Sequence, residues 1–434
     1  MDRLDLIGGQ PLRGTVAVGG AKNAALPAMT AALLTDQPVM LSGVPDVGDV
    51  RTMGRLLGTL GVRIDHDIND EADTLTLHTV DPQPHAADYQ LVRQMRASIC
   101  VLGPLLARRG RARVALPGGC QIGHRPVDRH LHALAALGAD IRLERGDIVA
   151  EAITLRGATI DLAGPQGSTA TGTCNALAAA TLARGRSVLL GAAREPEVVD
   201  FGQLLARMGG CIDGLGTDTI TVDGVESLHG TPEPHRIIPD RIEALTLAMA
   251  AGMVGGSAVT LAGVCPSHLT EAAALLTEIG LQQHHDADGW HVARHGGLRP
   301  VETTATPYPG LPTDAQAQLT AVLTQAGGTS SVADAVFPER FGHVGELVRL
   351  GCTITRTVRG VVITGQPASG SLVGCDVLAS DLRASAALVL AGLAAEGPTR
   401  VRRIYHLDRG YDHLERKLAV LGARVERVRD EHPF

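Results

Sequence analysis

The sequence predicts an α/β protein made of six copies of one supersecondary unit, three in each of two domains. Three observations carry this. Glycines at 61, 138, 209, 280, 351 and 422 close six helix-like segments, with spacings of 77, 71, 71, 71 and 71 residues. The segments before them align as RLLGTLG, HALAALG, QLLARMG, ALLTEIG, ELVRLG and KLAVLG. The composition is aliphatic, with four Phe, four Tyr and one Trp among 434 residues. A fixed period of this kind marks a copied unit that buries its apolar faces against its neighbours.

Each copy reads as an apolar helix, a short strand, a loop, a second helix and a hairpin. Glycine just past the second helix is the expected left-handed stop. Strand–turn–strand segments precede the helices in PLRGTVAV (11–18), TLRGATIDL (154–162), SLHGTPEP (227–234) and SLVGCDVL (371–378). The last copy ends at Val425–Val428 without a partner strand, so residues 1–20 are expected to complete it. The expected division is 21–230 for the first domain and 1–20 plus 231–434 for the second. A cleft between them would be the ligand site, since such interfaces favour binding.

Few aromatics and a net charge of −7 leave no footprint for nucleic acid. The seven cysteines are scattered and never form CxxC, which fits a reduced cytoplasm without a disulfide or metal framework. Met1–Ile7 is charged and lacks a signal-type apolar run. Leu245–Val264 has twenty uncharged residues, but Gly255-Gly256-Ser257 divides it into a helix and a strand, so no membrane insertion is expected. His284, His285 and Asp286 sit at an HDADGW hairpin and read as a solvated tip, not a metal cluster.

Two classes of loop are richer than the repeat requires. Before the first helix of each copy stand GAKNAAL (20–26), QMRASI (94–99), GSTATGTCN (167–175), PDRIEA (239–244), PTDAQAQ (312–318) and SDLRASA (380–386). Lys22, Arg96 and Arg383 occupy equivalent helix starts, where a cation opposes the helix dipole and needs an anion or partner. Asp314 and Asp381 are candidate N-caps or functional carboxylates. The second class links strand to second helix. VPDVGDV and CPSHLTEA read as ordinary caps, whereas PGGCQIGHRPVD (117–128), FPERFGHV (337–344) and YHLDRGYDHL (405–414) add Arg125, Arg340 and Arg409, with His124, His343 and His406 nearby. Arginine suits bidentate carboxylate and phosphate contacts, so a small multiply charged anion is the expected ligand. Cys120, in a glycine-rich cationic loop, reads as an exposed, reactive thiol.

With GAKNAALP (20–27), MRASICVLGPLLAR (95–108), PGGC-x-IG-x-RPVD (117–128), AAREPEVVD (192–200), PDRIEA, PTD-x-QAQ, DLRASAALVLAG (381–392) and RIYHLDRGY (403–411), the chain resembles the enolpyruvyl transferases over essentially its whole length. The resemblance implies two inside-out α/β barrels of three βαβαββ-like units. It implies transfer of the enolpyruvyl group of phosphoenolpyruvate to a hydroxyl by addition and elimination, with no cofactor. The acceptor implied is the 3-hydroxyl of UDP-N-acetylglucosamine, for peptidoglycan. The alternative is another uridine nucleotide, such as the 3′-hydroxyl of UMP in nikkomycin- or polyoxin-type antibiotic synthesis. A non-catalytic ligand-binding relative is the remaining reading, and retention of the full charged set speaks against it.

Roles follow the matching positions. The resemblance makes Cys120 the proton donor to the methylene carbon and Asp314 the base near the acceptor hydroxyl, with Asn23 beside it. Lys22, Arg125 and Arg409 would hold the phosphate and carboxylate, and Arg340 and Arg383 would add charge. Arg96, Pro126, Val127, Asp128, Thr169, Val336 and Asp381 complete the expected binding set. The family's diphosphate stretch reads like K-x-SVGAT, whereas Gly167–Gly172 here is GSTATG, and Arg129 replaces an apolar residue after RPVD.

Overall fold

The computed structural model describes residues 2–69, 72–117, 127–165, 167–367 and 372–429. Cys120, His124, Arg125 and Pro126 lie outside them. Contacts divide the chain into two compact units: residues 1–19 with 239–434, and residues 20–120 with 124–238.

The chain starts in the unit that also holds its end, with β1 (Asp2–Ile7) and β2 (Arg13–Ala17). The other unit then runs through three copies. The first has α1 (Lys22–Thr30) with a 3-10 turn, β3 (Val39–Ser42), α2 (Gly48–Thr59) and the hairpin β4 (Val62–Asn69) and β5 (Ala72–Thr79). The second has a short α3 (Tyr89–Val92), a 3-10 turn (Arg96–Val101), α4 (Leu102–Arg109), β6 (Arg111–Ala115), α5 (Asp128–Ala136), β7 (Asp140–Glu144) and β8 (Asp147–Glu151). The third has β9 (Thr159–Asp161), α6 (Ala170–Thr181), β10 (Arg186–Leu190), α7 (Pro196–Arg207), β11 (Cys211–Asp213) and β12 (Thr219–Asp223), followed by the two-residue β13 (His235–Arg236).

The remaining copies repeat this order. The fourth has α8 (Arg241–Met253), β14 (Ala258–Ala262), α9 (Thr270–Glu278), β15 (Gln282–Asp286) and β16 (Gly289–Ala293). The fifth has β17 (Glu302–Ala305), a 3-10 turn (Thr313–Ala315), α10 (Gln316–Leu323), β18 (Gly328–Asp334), α11 (Val344–Arg349), β19 (Thr353–Arg356) and β20 (Gly360–Gly365). The sixth has β21 (Asp376–Leu378), α12 (Leu382–Ala394), β22 (Pro398–Arg402), a 3-10 turn (Ile404–Arg409), α13 (Leu414–Val420) and β23 (Arg424–Arg429). The long uncharged stretch is thus α8 and β14. Among the described residues no helix is long and apolar enough to cross a membrane.

Helices α6, α8, α10 and α12 are buried on nearly every face. That is the pattern of helices at the centre of a unit. In the unit with both termini, α8, α10 and α12 pack on one another, and the small sheets lie outside them. The second helices, such as α2 and α7, keep an exposed face. Each unit has its own core, one of residues between Leu4 and Ala423 and one between Ala21 and Ile237. The six repeat glycines all have positive φ, between +84° and +107°. At Gly61 a Cβ would also lie 1.9 Å from the Asp81 carbonyl, so no other residue fits.

Circular closure is visible in the register. β1 lies antiparallel between β22 and β23, supplying the strand the sixth copy lacks. β2 leads into α1 along the chain but pairs parallel with β14 of the fourth copy. Conversely β13 leads into α8 but pairs parallel with β3 of the first copy. Leading strands are exchanged between the two copies where the chain passes from one unit to the other. Residues 231–238, assigned from sequence to the second domain, therefore pack with the first three copies. The reason is local: Ile237 N donates to the Ser42 carbonyl and Ala21 N to the Ile238 carbonyl.

Candidate active site

The loops before the central helices and those leading into the second helices hold the charged groups. In the unit formed by residues 1–19 and 239–434, Asp314 lies in the 3-10 turn leading into α10. Its Oδ1 accepts from Arg340 Nη1 at 2.6 Å and its Oδ2 from Arg383 Nη2 at 2.9 Å. Arg340 also donates to Thr313 Oγ1, which donates to Asp334. Asp334 in turn accepts from the amides of Val336 (2.9 Å) and Phe337 (2.7 Å), so the Val336 backbone is fixed by a carboxylate. Burial raises the Asp334 pKa, opposed by these hydrogen bonds.

Arg383, 2% exposed, stands in the first turn of α12. Burial disfavours its charge, but the attraction of Asp314, Tyr411 and Asp240 outweighs that and raises its pKa. The guanidinium lies 5.2 Å from the Tyr411 ring centroid. The Tyr411 hydroxyl is in turn bonded to Thr246 and Gln318. Three central helices thereby share one buried polar network, which the sequence did not single out. Arg383 was named there, and Gln318 and Tyr411 fall within quoted motifs, but nothing in the sequence joined them.

The two ambiguous carboxylates separate cleanly. Asp381 is an N-cap, its Oδ1 accepting from the amides of Arg383 and Ala384. Asp314 is no cap for α10: its two oxygens are taken by arginines. Half-buried Arg409 ends the 3-10 turn beside His406.

In the unit formed by residues 20–120 and 124–238, Lys22 opens α1 and is buried. Its Nζ donates to Asp49 Oδ2 at 3.0 Å. The loop read as an ordinary cap therefore carries the counter-charge of Lys22, a correction that chain spacing could not foretell. Asn23 is exposed and Arg96, at the start of its 3-10 turn, is half-buried. Val127 precedes α5, and Asp128 in its first turn is exposed and 3.7 Å from Arg129 Nε. Thr169 caps α6, accepting from Gly172 N at 3.2 Å.

The histidines beside Arg340 and Arg409, His343 and His406, are held mainly neutral at neutral pH. Burial lowers the His406 pKa, and Arg409 lowers it further. Burial pushes His343 down to about 4; Asp381 opposes this, and Arg340 and Arg356 add to it. Unfolded His343 titrates near 6.5, so between pH 6.5 and 4 the unfolded chain binds a proton that the folded one does not. Stability contributed by neutral His343 is full above pH 6.5 and lost as pH falls toward 4, by about 3 kcal/mol. The difference in urea midpoint between wild type and His343→Leu should shrink accordingly from pH 7 to pH 4. A difference independent of pH would remove His343 as a titrating group.

Fixed cations set around one carboxylate can bind an anionic substrate and stabilise charge that develops on it. The comparisons agree with that chemistry. UDP-N-acetylglucosamine 1-carboxyvinyltransferase of Anaeromyxobacter dehalogenans (strain 2CP-1) is 50% identical over 433 residues, covering 99% of this chain and all of the relative. The enzyme of that name from Akkermansia muciniphila is 47% identical over 435 residues, again 99% and 100%. The crystal structure of the enolpyruvyl transferase NikO from Streptomyces tendae superposes with a TM-score of 0.87 at 28% identity, over 98% of each chain. EPSP synthase from Acinetobacter baumannii shares the fold, with a TM-score of 0.75 at 18% identity over 99% of this chain and 100% of that one. The model of EPSP synthase (3-phosphoshikimate 1-carboxyvinyltransferase) matches residues 6–418, and with two-domain α/β architecture and full-length relatives in agreement, the chain belongs to this family of enolpyruvyl transferases.

Proposed function

We propose that the protein transfers the enolpyruvyl group of phosphoenolpyruvate to the 3-hydroxyl of UDP-N-acetylglucosamine, in the cytoplasm, as a step toward peptidoglycan. The observation that carries the acceptor is the near 50% identity, over whole chains, to relatives named for that reaction. Cys120 gives a proton to C3 of phosphoenolpyruvate while the acceptor oxygen bonds to C2 and passes its proton toward Asp314. The tetrahedral phosphoketal then loses a C3 proton and expels phosphate, leaving the enolpyruvyl ether. Lys22, Arg125 and Arg409 bind the phosphate and carboxylate, and Arg340 and Arg383 supply charge around Asp314. Asn23, Arg96, Pro126, Val127, Asp128, Thr169, Val336 and Asp381 serve binding, Thr169 and Asp381 by fixing helix starts.

One observation favours a second acceptor with a single phosphate, such as UMP. In Gly167–Gly172 the lysine of the family's diphosphate stretch is absent. Phosphate release from phosphoenolpyruvate, measured with UDP-N-acetylglucosamine and with UMP in parallel, decides. Release with the sugar nucleotide is expected. Release with UMP alone would transfer the assignment to the second reading, and release with neither would reject both.

A further inference from the structure

Outside these loops, the hairpin of β15 and β16 gathers three metal-type ligands from opposite strands. His284 and His291 are directly opposite in the antiparallel register, and Asp286 lies two residues along from His284, on the same face. The two imidazoles stack with centroids 4.3 Å apart and planes within 6°. His291 Nε2 is 2.7 Å and His284 Nε2 is 3.7 Å from the Asp286 carboxylate. One ligand atom from each of the three lies within 4.8 Å of the others. His285, which the sequence grouped with them, points to the other face and stacks on the buried Trp290.

We propose that His284, Asp286 and His291 form a surface site for a borderline divalent transition-metal cation, Zn2+ being the representative. Two imidazole nitrogens and one carboxylate are the donors zinc takes, with water completing the tetrahedron. Imidazole pairs disfavour Mg2+ and Ca2+, which take oxygen ligands. The support is preset. His291 Nδ1 is 3.0 Å from Thr260 Oγ1 on β14, so an Nδ1–H donated there turns the Nε2 lone pair toward Asp286. Asp286 is held by the amide of Asp288 at 2.9 Å. Gly289, at φ +140°, lets β16 approach β14 closely: a Cβ there would lie 2.3 Å from the Leu261 carbonyl. A cation would take the place of the hydrogen bond between His291 Nε2 and Asp286 and would clip the hairpin.

The test is Zn2+ titration of the whole protein in competition with a chromophoric chelator, after its thiols are alkylated. One Zn2+ per chain is expected. His284→Ala, at an exposed position that leaves the fold intact, should weaken binding at least tenfold. Thr260→Val should weaken it about tenfold, as loss of a partner behind a ligand does. His285→Ala, on the other face, should bind as wild type. An alkylated wild type that takes up no Zn2+, or a His284→Ala protein that binds it unchanged, overturns the site.

Discussion

Asp314→Ala should lower turnover by roughly a hundredfold or more, the range expected when a positioned acid or base is removed. It should also be the most destabilising single change at the site. Asp314 is the shared anion of Arg340 and Arg383, whose side chains are 8% and 2% exposed. Removing one member of a buried ion pair costs about 3–5 kcal/mol, because the remaining charge is left without compensation. Here two guanidiniums would be left facing each other. Asp314→Asn separates the effects. The amide keeps the volume and one acceptor, so stability should fall less than with alanine. It carries no negative charge, so turnover should fall nearly as far. Steady-state phosphate release and urea unfolding of both variants check this. An asparagine variant within fivefold of wild-type turnover would withdraw the assignment of Asp314 as base and leave it a positioning residue.

The same contact explains why some of the site was legible in the sequence and some was not. The repeat made six equivalent helix starts comparable, and among the charged residues that stood out there Lys22, Asp314 and Arg383 are charges the structure pairs. The partners were another matter. Asp49 is 27 positions from Lys22, and Asp314 is 69 from Arg383. Pairings of that range leave no periodic trace, so Asp49 looked like a cap while Asp314 and Asp381 looked alike. Only geometry shows that Asp381 spends its oxygen on two amides, whereas Asp314 spends both on arginines. The fold followed the opposite rule. Helix stops, apolar runs and turns are local, and they carried the repeat and the completion of the sixth copy by β1. The exchange of β2 and β13 left no such local trace. Which strand each would pair with depends on edges that the chain order does not reveal.

Exchange of Cys120 for alanine should lower turnover by about 10²–10⁴-fold, and a phosphonate epoxide that mimics phosphoenolpyruvate should no longer inactivate the enzyme. Selectivity for this thiol follows from what happens to the others. Burial pushes Cys100 and Cys352 up to about 12 and raises Cys174 well above the ordinary thiol value. Cys375 is raised as well, again chiefly by burial. These side chains carry little thiolate at neutral pH, and the thiolate is the nucleophile. Cys211 begins β11 and Cys265 precedes a 3-10 turn, and neither stands in one of the three arginine-bearing loops. Cys120 has His124 and Arg125 four and five residues on, and glycines on its N-terminal side that let a ligand approach. An anionic epoxide drawn by the arginines would therefore label one cysteine per chain, found by peptide mass mapping at Cys120. Labelling at Cys211 with loss of activity, or normal turnover in Cys120→Ala, would place the proton donor elsewhere.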